Sequence, residues 1–142
     1  MSTALESGMS AIRTLEVTSE KVMFFAEITG DYNPLHFDNE FTAKTRFGQQ
    51  GRLLAQGGIA TGLLHALVAM DLPGPGSVFL TQQWSFPKPV FIGDTLTATG
   101  TIKSWRTGRS MGVMEFEVTN QDGEIVLRGE ATVYRTVPRV GS

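Results

Sequence analysis

The segment GIATGLLHALVAM, Gly58 to Met70, constrains the fold more than any other part of the chain. It reads as a helix opened by Gly57-Gly58 and stopped by Pro73-Gly74-Pro75-Gly76. Apolar residues lie almost all the way round it, which predicts cover on nearly every side. The chain after it reads as strands. Ser77–Phe86 alternates, with Val78, Leu80, Trp84 and Phe86 on one face, until Pro87-Lys88-Pro89 breaks it. Asp94–Trp105 sets Leu96, Ala98 and Ile102 against Thr95, Thr97, Thr99 and Thr101. A turn at Thr107-Gly108-Arg109 leads into Met111–Thr119, where Met114, Phe116 and Val118 alternate with Glu115 and Glu117. Asn120-Gln121-Asp122-Gly123 is a strong turn signal, and Glu124–Thr136 is the last strand.

Consecutive antiparallel strands after an apolar helix predict an α+β fold in which a curved antiparallel sheet wraps around a long central helix, a hotdog-like architecture. The 142 residues suit one domain over 1–142, with flexible ends expected at about 1–10 and 137–142. The chain has no cysteine, which excludes disulfides, thiolate nucleophiles and cysteine metal sites. A net charge of -2 shows no basic surface for nucleic acid. The first ten residues lack the pattern of a secretory leader. Ile59–Met70, broken by Thr61, Gly62 and His65, is too short and mixed to span a membrane. These features are compatible with a cytoplasmic protein without membrane partners.

The N-terminal half holds a first strand at residues 11–18 and then a helix. Thr18 or Ser19 caps that helix, Glu20 lies in its first turn, and Val22, Phe25, Ala26 and Thr29 fall on its buried face. Gly30 suits the left-handed position that ends a helix. Pro34 then opposes a restart, so Asp31–His36 reads as a loop. Asp38 caps a short helix through about Arg46, and Phe47–Leu54 reads as a loop.

The loop sequence TGDYNPLHFD, Thr29 to Asp38, carries a carboxylate and an imidazole on either side of Asn-Pro. Imidazole gives and takes protons near neutral pH, and a neighbouring carboxylate fixes its tautomer or activates a water. Asp31 and His36 therefore form a candidate acid–base pair around one water, with Asn33 tying the loop to itself. The same residues are also everyday turn formers, and spacing alone leaves both readings standing. A metal site is a weaker reading, since His65 lies on the apolar helix and reads as a core or interface residue. The glycines of AQGGIATG, Ala55 to Gly62, would let a substrate approach the helix N-terminus, where amide groups and the dipole hold an oxyanion. They also suit a plain loop-to-helix junction.

Taken together, FAEITGDYNPLHFD (Phe25–Asp38), LLAQGGIATGLL and LPGPGSVFLTQQWSFPKPVFIGDTLTA resemble the MaoC-like dehydratase family, which includes the (R)-specific enoyl-CoA hydratases. The resemblance runs from about Arg13 to Arg135. Its most specific parts are Gly30-Asp31-x-Asn33-Pro34-x-His36-x-Asp38 and FPKPVFIGDTL. It implies a hotdog fold and a hydro-lyase adding water to a trans-2-enoyl-CoA. In that reading Asp31 and His36 hold the catalytic water, Asn33 supports them, and the Gly57 N–H forms the oxyanion hole beside Gln56 and Gly58.

The resemblance implies no metal or redox cofactor, coenzyme A as the substrate's handle, and a homodimer or higher homo-oligomer. Lys44, Arg46, Arg52 and Lys88 are candidates for a basic rim facing the carrier's phosphates. Gln56 stands where most members have histidine. A serine of some members falls on Gly62, beside Thr61. These changes bear on acyl preference more than on chemistry. A hotdog acyl-CoA thioesterase and a non-catalytic hotdog subunit are the alternatives.

Overall fold

The computed structural model describes residues 4–48 and 51–137. Five strands form one antiparallel sheet: β1 (Ser10–Glu16), β2 (Ser77–Ser85), β3 (Thr95–Arg106), β4 (Met111–Thr119) and β5 (Ile125–Arg135), in the order β1-β3-β4-β5-β2. Leu96, Ala98, Ile102, Met114, Phe116 and Val118 all turn inward and are buried, as their alternation requires. The helix α3 (Gly57–Ala66), extended by a π-helical turn at Leu67–Asp71, packs Ile59, Ala60, Leu63, Leu64, Leu67 and Val68 into this core. Each of the larger side chains contributes about 2 kcal/mol by leaving water. The α+β hotdog architecture of a sheet around a central helix is thus present.

Cover of α3 is less complete than its composition predicts. Gly62, His65 and Met70 remain exposed, on a stripe that the sheet only borders, at β2. His65 is therefore not a core residue. Its ring meets Phe79 edge-on at 4.8 Å, and its Nε2 lies 3.2 Å from Gln82 Nε2. The face expected for β2 is also wrong. A bulge between Phe79 and Thr81 makes Leu80 an extra residue, so Phe79 and Trp84 point inward while Val78 and Leu80 are exposed.

Where sequence places a flexible end, residues 7–9 run along β3. Gly8 N–H donates to Ile102 O (2.8 Å), Ile102 N–H to Met9 O (2.8 Å), and Ser7 Oγ to Lys103 O (2.9 Å). Residues 1–3 and 138–142 of the expected ends lie outside the described residues, as do Gln49 and Gln50 of the expected Phe47–Leu54 loop.

The helix α1 (Ser19–Thr29) is capped by Thr18, whose hydroxyl accepts from Lys21 N–H (3.2 Å), and ends at Gly30 with φ 81°. Val22 and Ala26 form its buried face. Thr29, expected there, is exposed and returns its hydroxyl to Phe25 O (2.7 Å). The helix α2 (Asn39–Ala43) starts on Asp38, which accepts from Phe41 N–H (3.0 Å), and stops before Arg46.

Candidate active site

The loop after α1 folds largely on its own hydrogen bonds. Asp31 Oδ1 accepts from Asn33 N–H (3.3 Å), and Asn33 Oδ1 accepts from Leu35 N–H (3.1 Å). Asn33 thereby caps a 3₁₀ turn at Pro34–His36, where a plain loop was expected. Proline opposes the helical conformation in the residue before it. As the first residue of a turn, however, it has the right φ and no N–H to satisfy.

This turn presents His36, which is 6% exposed. Its Nδ1 lies 2.8 Å from Leu54 O, and its Nε2 lies 3.8 Å from Asp31 Oδ1. A carbonyl only accepts, so Nδ1 carries the proton and the neutral ring has a bare Nε2. Two acceptors then face each other too far apart for direct contact. A water about 2.8 Å from both would see them about 85° apart, close to what two O–H donors require. The arrangement can hold one water by both its hydrogens and turn its lone pairs outward.

Leu54 belongs to a strap that sequence reading treats only as loop. Leu54 N–H donates to Leu35 O (3.0 Å), Ala55 N–H to Val90 O (2.8 Å), and Ile92 N–H to Leu53 O (2.9 Å). The strap runs directly into Gln56 and Gly57 and so ties His36 to the start of α3. Gly57 and Gly58 are the first two residues of that helix, where N–H groups have no intrahelical acceptor, and Gln56 provides no side-chain cap.

Gln56 is 2% exposed. Its Nε2 donates to Val22 O (3.0 Å), which clamps α3 to α1, and its Oε1 has no protein partner. A Cβ on Gly58 would lie 2.1 Å from Phe25 Cζ, so this glycine admits the α1 ring rather than a substrate. A Cβ on Gly57 would meet Phe86 at 3.3 Å. Phe25 and Phe86 thus flank the helix start, a pairing that only the folded chain reveals.

Among the described residues, His36 and Gly57 line different cavities. His36 lines one of about 310 Å³ with Val22, Met23, Phe37 and Leu53. Gly57 lines another of about 360 Å³ with Phe47, Phe86 and Lys88, and strap residues line both, Leu53 the first and Leu54 and Ala55 the second. The Asp31 side chain, 41% exposed, lines neither. A larger groove of about 840 Å³ crosses the sheet at Gln83, Glu115 and Arg128 and includes none of these groups.

Of the expected basic rim, Arg52 is committed to Asp94 (3.1 Å) and Lys88 to Glu124. Lys88 holds the Glu124 carboxyl below the usual carboxylate range, with Asn120 adding to the effect. Lys44 and Arg46 are exposed. Among the described residues no three His, Cys, Asp or Glu side chains converge as metal ligands would. No helix among them is long and apolar enough to cross a membrane.

The sheet-wrapped helix defines a hotdog protein, and its turn brings a carboxylate and an imidazole together. Comparison with known proteins makes the class specific. Residues 2–124 match the MaoC like domain, and the chain belongs to that family. It is 38% identical over 129 residues to a 3-hydroxybutyryl-CoA dehydratase of Methylorubrum extorquens, covering 91% of this chain and 80% of that protein. It is 34% identical over 130 residues to an (R)-specific enoyl-CoA hydratase of Aeromonas caviae, covering 92% and 95%. The solved (R)-hydratase from A. caviae superposes with a TM-score of 0.85 over 92% of this chain and 97% of that one, at 34% identity. The R-hydratase PhaJ1 from Pseudomonas aeruginosa gives 0.85 over 94% and 84%, at 32% identity.

Proposed function

We propose that this chain is an (R)-specific enoyl-CoA hydratase, a hydro-lyase that interconverts a trans-2-enoyl-CoA and the (R)-3-hydroxyacyl-CoA. The observation that carries the proposal is His36 Nε2 facing Asp31 Oδ1 at 3.8 Å, in a member of a family with hydratase relatives. The thioester crosses the strap, which borders both cavities through Leu53 on one side and Leu54, Ala55 and Gly57 on the other, with its C3 at the bridging water and its carbonyl toward the Gly57 N–H. His36 Nε2 takes one proton as the water oxygen bonds to C3. The C2–C3 π electrons move into the enolate, which the Gly57 N–H stabilises. The imidazolium, beside the Asp31 carboxylate, returns the proton to C2. Overall one water is added, and the reverse sequence is dehydration. Asn33 and Gln56 hold the two halves of the site, and no metal or redox cofactor enters these steps.

Coenzyme A is the activated handle of the substrate, and Lys44 and Arg46 are the basic groups left to meet its phosphates. The working unit is a homodimer. What supports this is the unpaired outer edge of β2, with Val78 and Leu80 exposed beside the open stripe of α3. In this proposal the enzyme acts in the cytoplasm.

Purified protein should bleach the conjugated-enoyl absorbance of crotonyl-CoA without releasing free thiol. Release of stoichiometric thiol instead would make it a thioesterase, and inertness toward enoyl-CoA substrates of several lengths would leave it a non-catalytic subunit. Light scattering after gel filtration should give twice the chain mass.

A further inference from the structure

Asp94 is a carboxylate with no exposed surface, at the turn before β3. Its Oδ2 accepts from Phe91 N–H (2.9 Å). Its Oδ1 accepts from Gln121 Nε2 (2.9 Å) and Arg52 Nη1 (3.1 Å). Its own N–H donates to Phe91 O (3.1 Å), so the turn 91–94 is closed by backbone and side chain together. Arg52 also lies over the Phe91 ring at 4.8 Å. Burying a charge is unfavourable unless it is fully bonded, and here every bond serves one geometry. One set of bonds fixes residues 91–94, and the guanidinium fixes residue 52. Between those two anchors runs the short ladder Leu53–Ala55 against Val90–Ile92, which carries the Leu54 carbonyl.

We infer that Asp94 and Arg52 are positioning residues that hold the Leu54 carbonyl against His36 Nδ1 and so keep His36 Nε2 bare toward Asp31. Neither touches the reacting atoms. A free imidazole has two tautomers and two ring orientations, and only the Nδ1–H form leaves the acceptor on the Asp31 side. The carbonyl selects that form only while the strap keeps it in place. The strap's remaining tie to this loop, Leu54 N–H to Leu35 O, fixes the strap relative to the turn but does not set where residue 52 goes. This assignment deepens the hydratase reading. Its catalytic consequence rests on that reading, whereas its structural consequence does not.

The chain has only two histidines, so nitrogen-15 spectra of histidine-labelled protein contain two imidazoles, and His65→Gln assigns them. At about pH 8, above the ordinary range for histidine, wild-type His36 should show protonated Nδ1 and bare Nε2. In Arg52→Gln that pattern should give way to a tautomer mixture, and Arg52→Lys should restore most of it. With crotonyl-CoA, kcat of Arg52→Gln should fall about tenfold to a hundredfold with KM little changed. Loss of the Nδ1–H form in folded Arg52→Gln, with recovery in Arg52→Lys, supports the assignment even in a protein that hydrates no enoyl-CoA. A folded Arg52→Gln with the wild-type spectrum overturns it. If circular dichroism shows Arg52→Gln unfolded, Asp94→Asn is read by the same criterion.

Discussion

The turn 31–38 and the strap 52–57 each supply half of the site, and they are held in opposite ways. The turn closes on itself through Thr29, Asp31, Asn33 and Pro34, each bonded within a few residues. The strap makes almost no local bonds and is fixed by residues far along the chain, at 22, 35 and 90–94. A self-closed turn sets the backbone positions of Asp31 and His36 from within, while the His36 ring takes its orientation from the Leu54 carbonyl of the strap. A strap held from outside puts its amide and carbonyl in place only once the whole domain has folded. The turn therefore stores the site's chemistry, and the strap stores its alignment.

The sharpest way to break this comparison is in the turn. His36→Ala or Asp31→Asn should lower kcat about a thousandfold or more while the melting temperature stays near wild type. Rates within tenfold of wild type in both variants would remove the acid–base pair from the mechanism. Next comes the strap's amide. Gly57 is the first residue of α3, and Gln56 has φ -65° and ψ 138°, a conformation that a following proline favours. Gly57→Pro should fold yet lose the N–H, costing kcat about a hundredfold to a thousandfold. Gly57→Ala keeps the N–H and meets only the edge of Phe86, so its rate should stay within a few fold. Equal losses in the two variants would mean steric damage rather than a lost donor.

Smaller effects sharpen the picture. Asn33→Ala removes the cap of the His36 turn and should cost about 1 kcal/mol in denaturant titration, along with a drop in kcat. Gly58→Ala should cost a net of about 1 kcal/mol. Crowding against Phe25 is worth about 2 kcal/mol, and the gain in helix propensity returns about half of that. Phe25→Leu in the same chain should recover the loss, and failure to do so would point to a different neighbour.

This difference also explains what sequence reading captures. Thr18, Gly30, Asn33 and Asp38 act within a turn of themselves, so their roles as caps and stops are visible in the order of residues. The inward sets of β3 and β4 are visible because alternation is unbroken where they lie. Three things are not visible. The bulge in β2 reverses the faces on either side of Leu80. The exposure of His65 depends on how far the sheet reaches round α3. The commitment of Arg52 to Asp94 joins residues 42 positions apart in the chain, so a lone arginine in a loop reads as free for a phosphate when it is already bound.

The bulge has a consequence for comparing relatives. Leu80 and Thr81 together oppose a single residue, Thr132, so Leu80 is a spare position: excising it would straighten β2 and leave Phe79 and Trp84 pointing inward. Removing any one residue from Gln82 to Ser85 would instead exchange the inner and outer sets beyond it. Where a family member is one residue shorter in this strand, the gap in an alignment belongs at Leu80, and an alignment that places it later assigns lining residues to solvent.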